Sequence, residues 1–201
     1  MKKLFSVTVA LALLCLAVGA QASVSVYTDR SAWEAAVSYQ FEEEFFSDAT
    51  LNPGVSVVST YPGYIDTTNE VWWDRLVKPG SGATTTTWGF DTSLVGYGGN
   101  WDPATPGGTG AGIAVSYSGS WAYVGEIPNS YTGEFWGFVS SEPFSAVLLE
   151  SGSQPGYWCE TYELDNMVYS AGPENAIPEA SSITLFAGGL ASLFGLRRRR
   201  S

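Results

Sequence analysis

The groups in this chain best suited to chemistry are carboxylates. Nineteen Asp and Glu lie between Ser23 and Ala176, opposed there only by Arg30, Arg75 and Lys78. Paired carboxylates can serve as acid and base in glycoside hydrolysis, and they supply the oxygen ligands that calcium takes. With so many acids in one region, a pair at a workable spacing is uninformative by itself. Histidine is absent from all 201 residues. A hydrolytic triad therefore lacks its usual base, and zinc or haem lacks a suitable ligand set. Cys159 has neither a histidine nor a nearby cation to lower its pKa, so a reactive thiolate is not expected. The chain is read as non-catalytic.

Aromatic side chains are the second resource. Of eight tryptophans, Trp72, Trp73 and Trp101 stand beside Asp74 and Asp102 in sequence that reads as loops. An aromatic face next to a polar partner can stack on a pyranose ring, so these three are the candidates for ligand stacking. If Trp72 and Trp73 lie on a strand instead, their rings face opposite ways and one is left outward. Trp121, Trp136 and Trp158 fall in or next to predicted strands and are assigned to the core, where a β-sandwich commonly uses large aromatics.

These groups must be positioned by short strands. Glycine makes up 23 of the 201 residues, above the usual share, which suits many turns. Val24 to Tyr27 reads as a strand, and Ser31 with Glu34 reads as a capping box opening a short helix through Val37. Further strands are expected at Val55–Ser59, Thr84–Phe90, Gly112–Tyr117, Trp121–Gly125, Phe135–Ser140, Ala146–Glu150 and Thr161–Tyr169. Ile113, Val115 and Tyr117 alternate with smaller residues, placing one face on a core. Ala146 to Leu149 is continuously apolar and is read as buried on both faces. Tyr97-Gly98-Gly99-Asn100 and 106–110 are read as turns. The expected class is all-β, an antiparallel β-sandwich with jelly-roll-like winding, one short N-terminal helix and a C-terminal transmembrane helix.

Both ends read as processing signals. Lys2 and Lys3, an apolar run to Val18 and Ala20-Gln21-Ala22 form a secretory leader over 1–22. The acidic domain is 23–176. In 177–201, Pro178-Glu179-Ala180 precedes an apolar stretch from Ser181 to Leu196 and then Arg197, Arg198, Arg199 and Arg200. Sixteen apolar residues span about 24 Å as a helix, short of a bilayer core of roughly 30 Å, and arginines can snorkel to close part of the gap. The arginine cluster keeps that end on the cytoplasmic side and places the acidic domain on the other.

This C-terminal order resembles the PEP-CTERM sorting signal of Gram-negative bacteria, with Ala180 where the group more often has proline. The resemblance implies exosortase as a processing partner, transient anchoring in the inner membrane, and delivery to the envelope or extracellular matrix. The stretch 27–33, the Gly98–Asp102 segment, Phe135–Ser140 and Leu164-Asp165-Asn166 also resemble other proteins of that group, which implies a β-sandwich and no particular activity.

On a sandwich the carboxylates acquire positions. Glu163 and Asp165 share one strand face, and Glu42 and Glu44 share another in the run Phe41–Phe46. If those terminal strands lie side by side, Glu42, Glu44 and Asp165 could hold a structural calcium ion, with Asp102 a further donor. The net charge of −11 repels phosphate backbones, so nucleic acid is not an expected partner. The leading reading is an exported surface or matrix protein, in a biofilm or exopolysaccharide layer, acting by interaction. The alternative is a carbohydrate-binding module, with or without calcium. A glycan-active enzyme using two carboxylates comes last.

Overall fold

The computed structural model describes residues 22–78, 80, 82–103 and 108–172. The leader and the sorting tail, with Pro178, Glu179, Ala180 and Arg197 to Arg200, lie outside the described residues. Among the described residues no helix is long and apolar enough to cross a membrane.

Ten antiparallel strands and one helix form the body. They are β1 (Val24–Tyr27), α1 (Arg30–Ala36), β2 (Glu42–Glu44), β3 (Val55–Ser59), β4 (Tyr64–Asp66), β5 (Val71–Val77), β6 (Thr86–Pro103), β7 (Ala111–Tyr117), β8 (Ser120–Ile127), β9 (Glu134–Ser151) and β10 (Cys159–Ser170). Strands β6 and β9 have 18 residues each, and both change register midway. Each therefore serves two layers. The first half of β6 pairs with β3 and with the second half of β9, which continues through β7 to β8. The second half of β6 pairs with β10 and with the first half of β9. Beyond β10 come β5 and β4, with β2 beside the far end of β10, and β1 lies outside β9. We name the β4-β5-β10-β6-β9-β1 layer A and the β3-β6-β9-β7-β8 layer B.

Between the layers lies an aromatic core. Trp72 and Trp88 meet edge to face at 5.3 Å, and Trp101, Tyr97, Tyr162, Phe138 and Phe144 fill the centre. Burying rings of this size contributes about 2–3 kcal/mol each. Trp101 was expected in a loop and stands on β6, fully buried, with Nε1 donating to the Trp136 carbonyl at 3.0 Å. Tyr97 to Asn100, expected as a turn, also lies within β6. Its glycines serve close approach: an added Cβ at Gly98 would stand 2.9 Å from the Phe135 ring and from Gly137 Cα.

That approach lets α1 lie on the outer face of layer A. Trp33 is buried against Phe135 and Val168, and its indole donates to the Phe138 carbonyl at 3.0 Å. The helix is capped by Asp29, whose side chain accepts from Ala32 N at 2.8 Å. The expected capping box at Ser31 does not form. Glu34 instead pairs with Arg30, whose guanidinium also grips both oxygens of Glu43 at 2.7 Å. A helix of seven residues, just under two turns, has too little internal stability to stand alone, so this packing holds it.

Two variants separate these contributions in urea denaturation. Trp33→Ala should cost about 3–5 kcal/mol through the cavity it leaves. Asp29→Ala should cost about 1 kcal/mol, and Ser31→Ala close to nothing.

Candidate functional site

Helix α1 covers only part of the outer face of layer A. On the open part, Tyr64, Trp73, Glu163 and Asp102 stand opposite one another in a row across β4, β5, β10 and β6. Directly opposed residues share a face, so all four side chains leave the sheet on the same side. Asp165 and Asn100 form the next pair along.

Trp73 is half-buried and anchors an aromatic group. Its centroid lies 5.5 Å from that of Tyr64 and 6.1 Å from that of Tyr61. Tyr64 is 50% exposed. The Arg75 guanidinium sits 5.3 Å from the Tyr61 centroid and 5.9 Å from that of Trp73, and is steadied by Nε donating to Thr161 Oγ1 at 3.0 Å. Such cation–π contacts hold the rings in one arrangement. On the same face is a cleft of about 180 Å³ lined by Val71, Asn100, Asp102, Gly133, Glu163 and Asp165. Burial, then Asp102 and Asp66, push the Glu163 carboxyl above its ordinary range. Burial raises Asp165 as well, with Glu43 and Glu70 adding to it and Arg30 opposing. The face thus offers flat rings beside carboxylate and amide groups, a combination suited to a polyhydroxylated ligand with both apolar and hydrogen-bonding surfaces.

A second, larger cleft of about 750 Å³ opens where β3 and β4 border the two layers. Val55, Val57, Tyr61, Tyr64 and Ile65 are among its walls, and Trp72 also lines it. Trp72 begins a buried relay: its Nε1 donates to Tyr162 Oη at 3.3 Å, which donates to Thr86 Oγ1 at 2.9 Å, which donates to Asp74 Oδ2 at 2.5 Å. Burial raises the Asp74 carboxyl, and the bonds from Thr86 and the Arg75 amide limit the rise.

The expected site residues are redistributed. Trp72 and Trp73 lie on β5, not in a loop, and alternate: Trp72 is 5% exposed and belongs to the core, while Trp73 faces out. Trp101 has no free face for a ligand. Trp136 is core as expected, whereas Trp121 and Trp158 are exposed. Strand β2 does lie beside β10, but Glu42, Glu44 and Asp165 do not converge. Glu44 stands opposite Met167 and Glu42 opposite Tyr169, while Asp165 lies across an irregularity at Asn166, whose φ is 48°. Both Glu44 oxygens are taken by the amides of Phe46 and Asn52, and Glu42 accepts from Tyr169. It is Glu43, held by Arg30, that acts on Asp165. Among the described residues no group of three or more acids or cysteines could hold a metal ion. Sequence reasoning missed Tyr61, Tyr64 and Asn100. The tyrosines flank Pro62-Gly63, and aromatic residues on either side of a turn dipeptide were the available signal.

One acid is buried away from this face. Glu160 is fully buried, with Oε2 accepting from the Gly110 amide at 2.7 Å and Oε1 unpartnered among the described residues. Gly108 leaves it room, since a Cβ there would stand 2.4 Å from both oxygens. Burial pushes its carboxyl up to about 7.

No protein-family model matches the chain, and no curated protein matches it. Among solved structures it is similar to carbohydrate-binding modules of family 29. One such module is 12% identical, with 66% of this chain and 89% of that chain covered and a TM-score of 0.48. Another, from Piromyces equi, is 12% identical, with 78% and 95% covered and a TM-score of 0.45. At this distance no site residue is transferred from them.

Glu160 makes stability depend on pH. The folded state holds this proton more tightly than the unfolded chain does. Its contribution is therefore full below about pH 4.5 and is lost as pH rises to about 7. Glu160→Gln should flatten that part of the curve and be the more stable protein at pH 8, measured as urea midpoints across a pH series.

Proposed function

We propose that the chain is a non-catalytic, glycan-binding protein of the cell surface or extracellular matrix, with its sugar site on the open part of layer A. The observation that carries this reading is the Tyr61–Tyr64–Trp73 group beside the cleft of Asn100, Asp102, Glu163 and Asp165. Rigid aromatic rings offer contact area at low entropic cost, and the neighbouring carboxylates accept hydrogen bonds from hydroxyl groups. The two-layer winding fits a jelly-roll-like sandwich. The acidic surface disfavours nucleic acid. Export, transient anchoring and exosortase processing are supported by the order Pro178-Glu179-Ala180, apolar stretch and Arg197 to Arg200. Exopolysaccharide of the matrix is the partner this combination suggests. The reading does not depend on calcium, whose expected ligands Glu42, Glu44 and Asp165 are not brought together.

Affinity electrophoresis of the full chain through hydroxyethylcellulose, galactomannan and xyloglucan tests the sugar site. The chain should be retarded by at least one polymer. Trp73→Ala should weaken that binding by about 30-fold, the effect of losing a hot-spot contact of about 2 kcal/mol. No retardation by any of the three would remove the reading. For sorting, mass spectrometry of chain recovered from an exosortase-bearing host should show loss of Arg197 to Arg200. A Pro178→Gly, Glu179→Ala variant should keep them.

A further inference from the structure

Among the described residues no helix packs on the outer face of layer B, in contrast to that of layer A. Val58, Thr87, Leu148, Ala114 and Tyr123 form a row across all five strands, with Gly89 beside Ala146 and Ser116 beside Trp121 along it. The apolar run Ala146 to Leu149, expected to be buried on both sides, alternates instead: Val147 and Leu149 enter the core, while Ala146 and Leu148 stay half-exposed on this outer face. The floor is therefore low and flat. At its β8 border stand two aromatics, Trp121 at 48% and Tyr123 at 62% exposure. They are two residues apart on a regular stretch of strand, which places both on one face about 7 Å apart. Tyr123 leans over the sheet, since a Cβ at Gly112 would stand 3.5 Å from its Cε2.

The charge pattern narrows what fits. None of the five strands of this layer contains a lysine or arginine; of their acids, Asp102 and Glu134 lie on the layer A halves of β6 and β9, Asp91 and Glu142 lie at the register shifts, and Glu150 and Glu126 lie within layer B. Glu126 is occupied by Ser153 and Gln154. Glu150 stands opposite Gly112 beside the rings and is exposed, a free acceptor for hydroxyl groups. An anionic polymer is repelled here. An uncharged chain with apolar ring faces and many hydroxyls meets two exposed rings, a flat floor and a carboxylate.

We propose that this face is a second glycan-binding site, for an extended uncharged polysaccharide, so that the sandwich holds one chain on each of its opposite faces and links them. The proposal rests on the reading of the Trp73 face as a sugar site. Packed sheets stand only about 10 Å apart, so the two sites lie back to back and cannot easily fold onto a single stretch of stiff polymer.

Light scattering of the full chain mixed with whichever of hydroxyethylcellulose, galactomannan or xyloglucan retards it distinguishes one site from two. The wild type should raise scattering sharply near equimolar sites and lower it again in protein excess, as a bivalent linker does. Trp121→Ala with Tyr123→Ala should abolish the rise while retardation of the chain persists, and Trp121→Phe with Tyr123→Phe should restore it. Scattering unchanged by the alanine pair, or absent from a wild type that still binds polymer, overturns the second site and leaves the first. Failure of every polymer to retard the wild type overturns both. Dimerisation without polymer, lost in the alanine pair, would mark the face as a protein interface and overturn the proposal as well.

Discussion

The antiparallel pairing of β6 with β9 is the constraint on which the molecule depends. Two strands of 18 residues run side by side, shift register midway, and continue paired on the other side of the shift. Each change of register is a change of layer. Every other strand finds its place by adding to one edge or the other of this central ribbon, so the ribbon decides which side chains meet in the core and which are turned outward. Trp101 and Trp136 are directed inward by it, while Asn100 and Asp102 are directed to the cleft. The price is a non-local topology, with residues near position 86 waiting for partners near 149 before either layer can close.

Polar groups inside this frame are handled unevenly. The relay from Trp72 to Asp74 satisfies each member in turn, so a carboxylate is tolerated next to the core. Trp88 Nε1, Tyr97 Oη and Glu160 Oε1 have no partner among the described residues. Each such group costs about 1–3 kcal/mol. The aromatic core must offset that cost.

Much of the architecture was legible because alternation is a local signal. Val24–Tyr27 and Val55–Ser59 coincide with observed strands, and Phe135–Ser140 and Ala146–Glu150 turned out to be two halves of one. The misreadings have physical causes. Gly98 and Gly99 look like a turn in one dimension, yet they are glycines because neighbours press on them, the Phe135 ring and Gly137 backbone on Gly98 and the Leu164 side chain on Gly99. Strand β5 hides because its Trp-Trp-Asp-Arg run is buried in a pattern that mixes charged and aromatic residues. The acids misled for a different reason. Glu42 and Glu44 were placed on the right strand beside the right neighbour, but a single left-handed residue at Asn166 displaces Asp165 from them. Period-two reasoning cannot see a bulge, and one bulge is enough to take apart a ligand set.

The irregularity in β8 has a consequence of another kind. This strand runs along the outside of layer B with one side unpaired among the described residues, and its eight residues are enough to template fibril growth if they stay straight. Opposite Ile113 and Ala114 the partner residues are Gly125 and Tyr123, so Val124 is inserted without a counterpart and the border is kinked. A second molecule arriving edge-on finds hydrogen-bonding groups out of step with its own. That kink guards the edge against uncontrolled polymerisation.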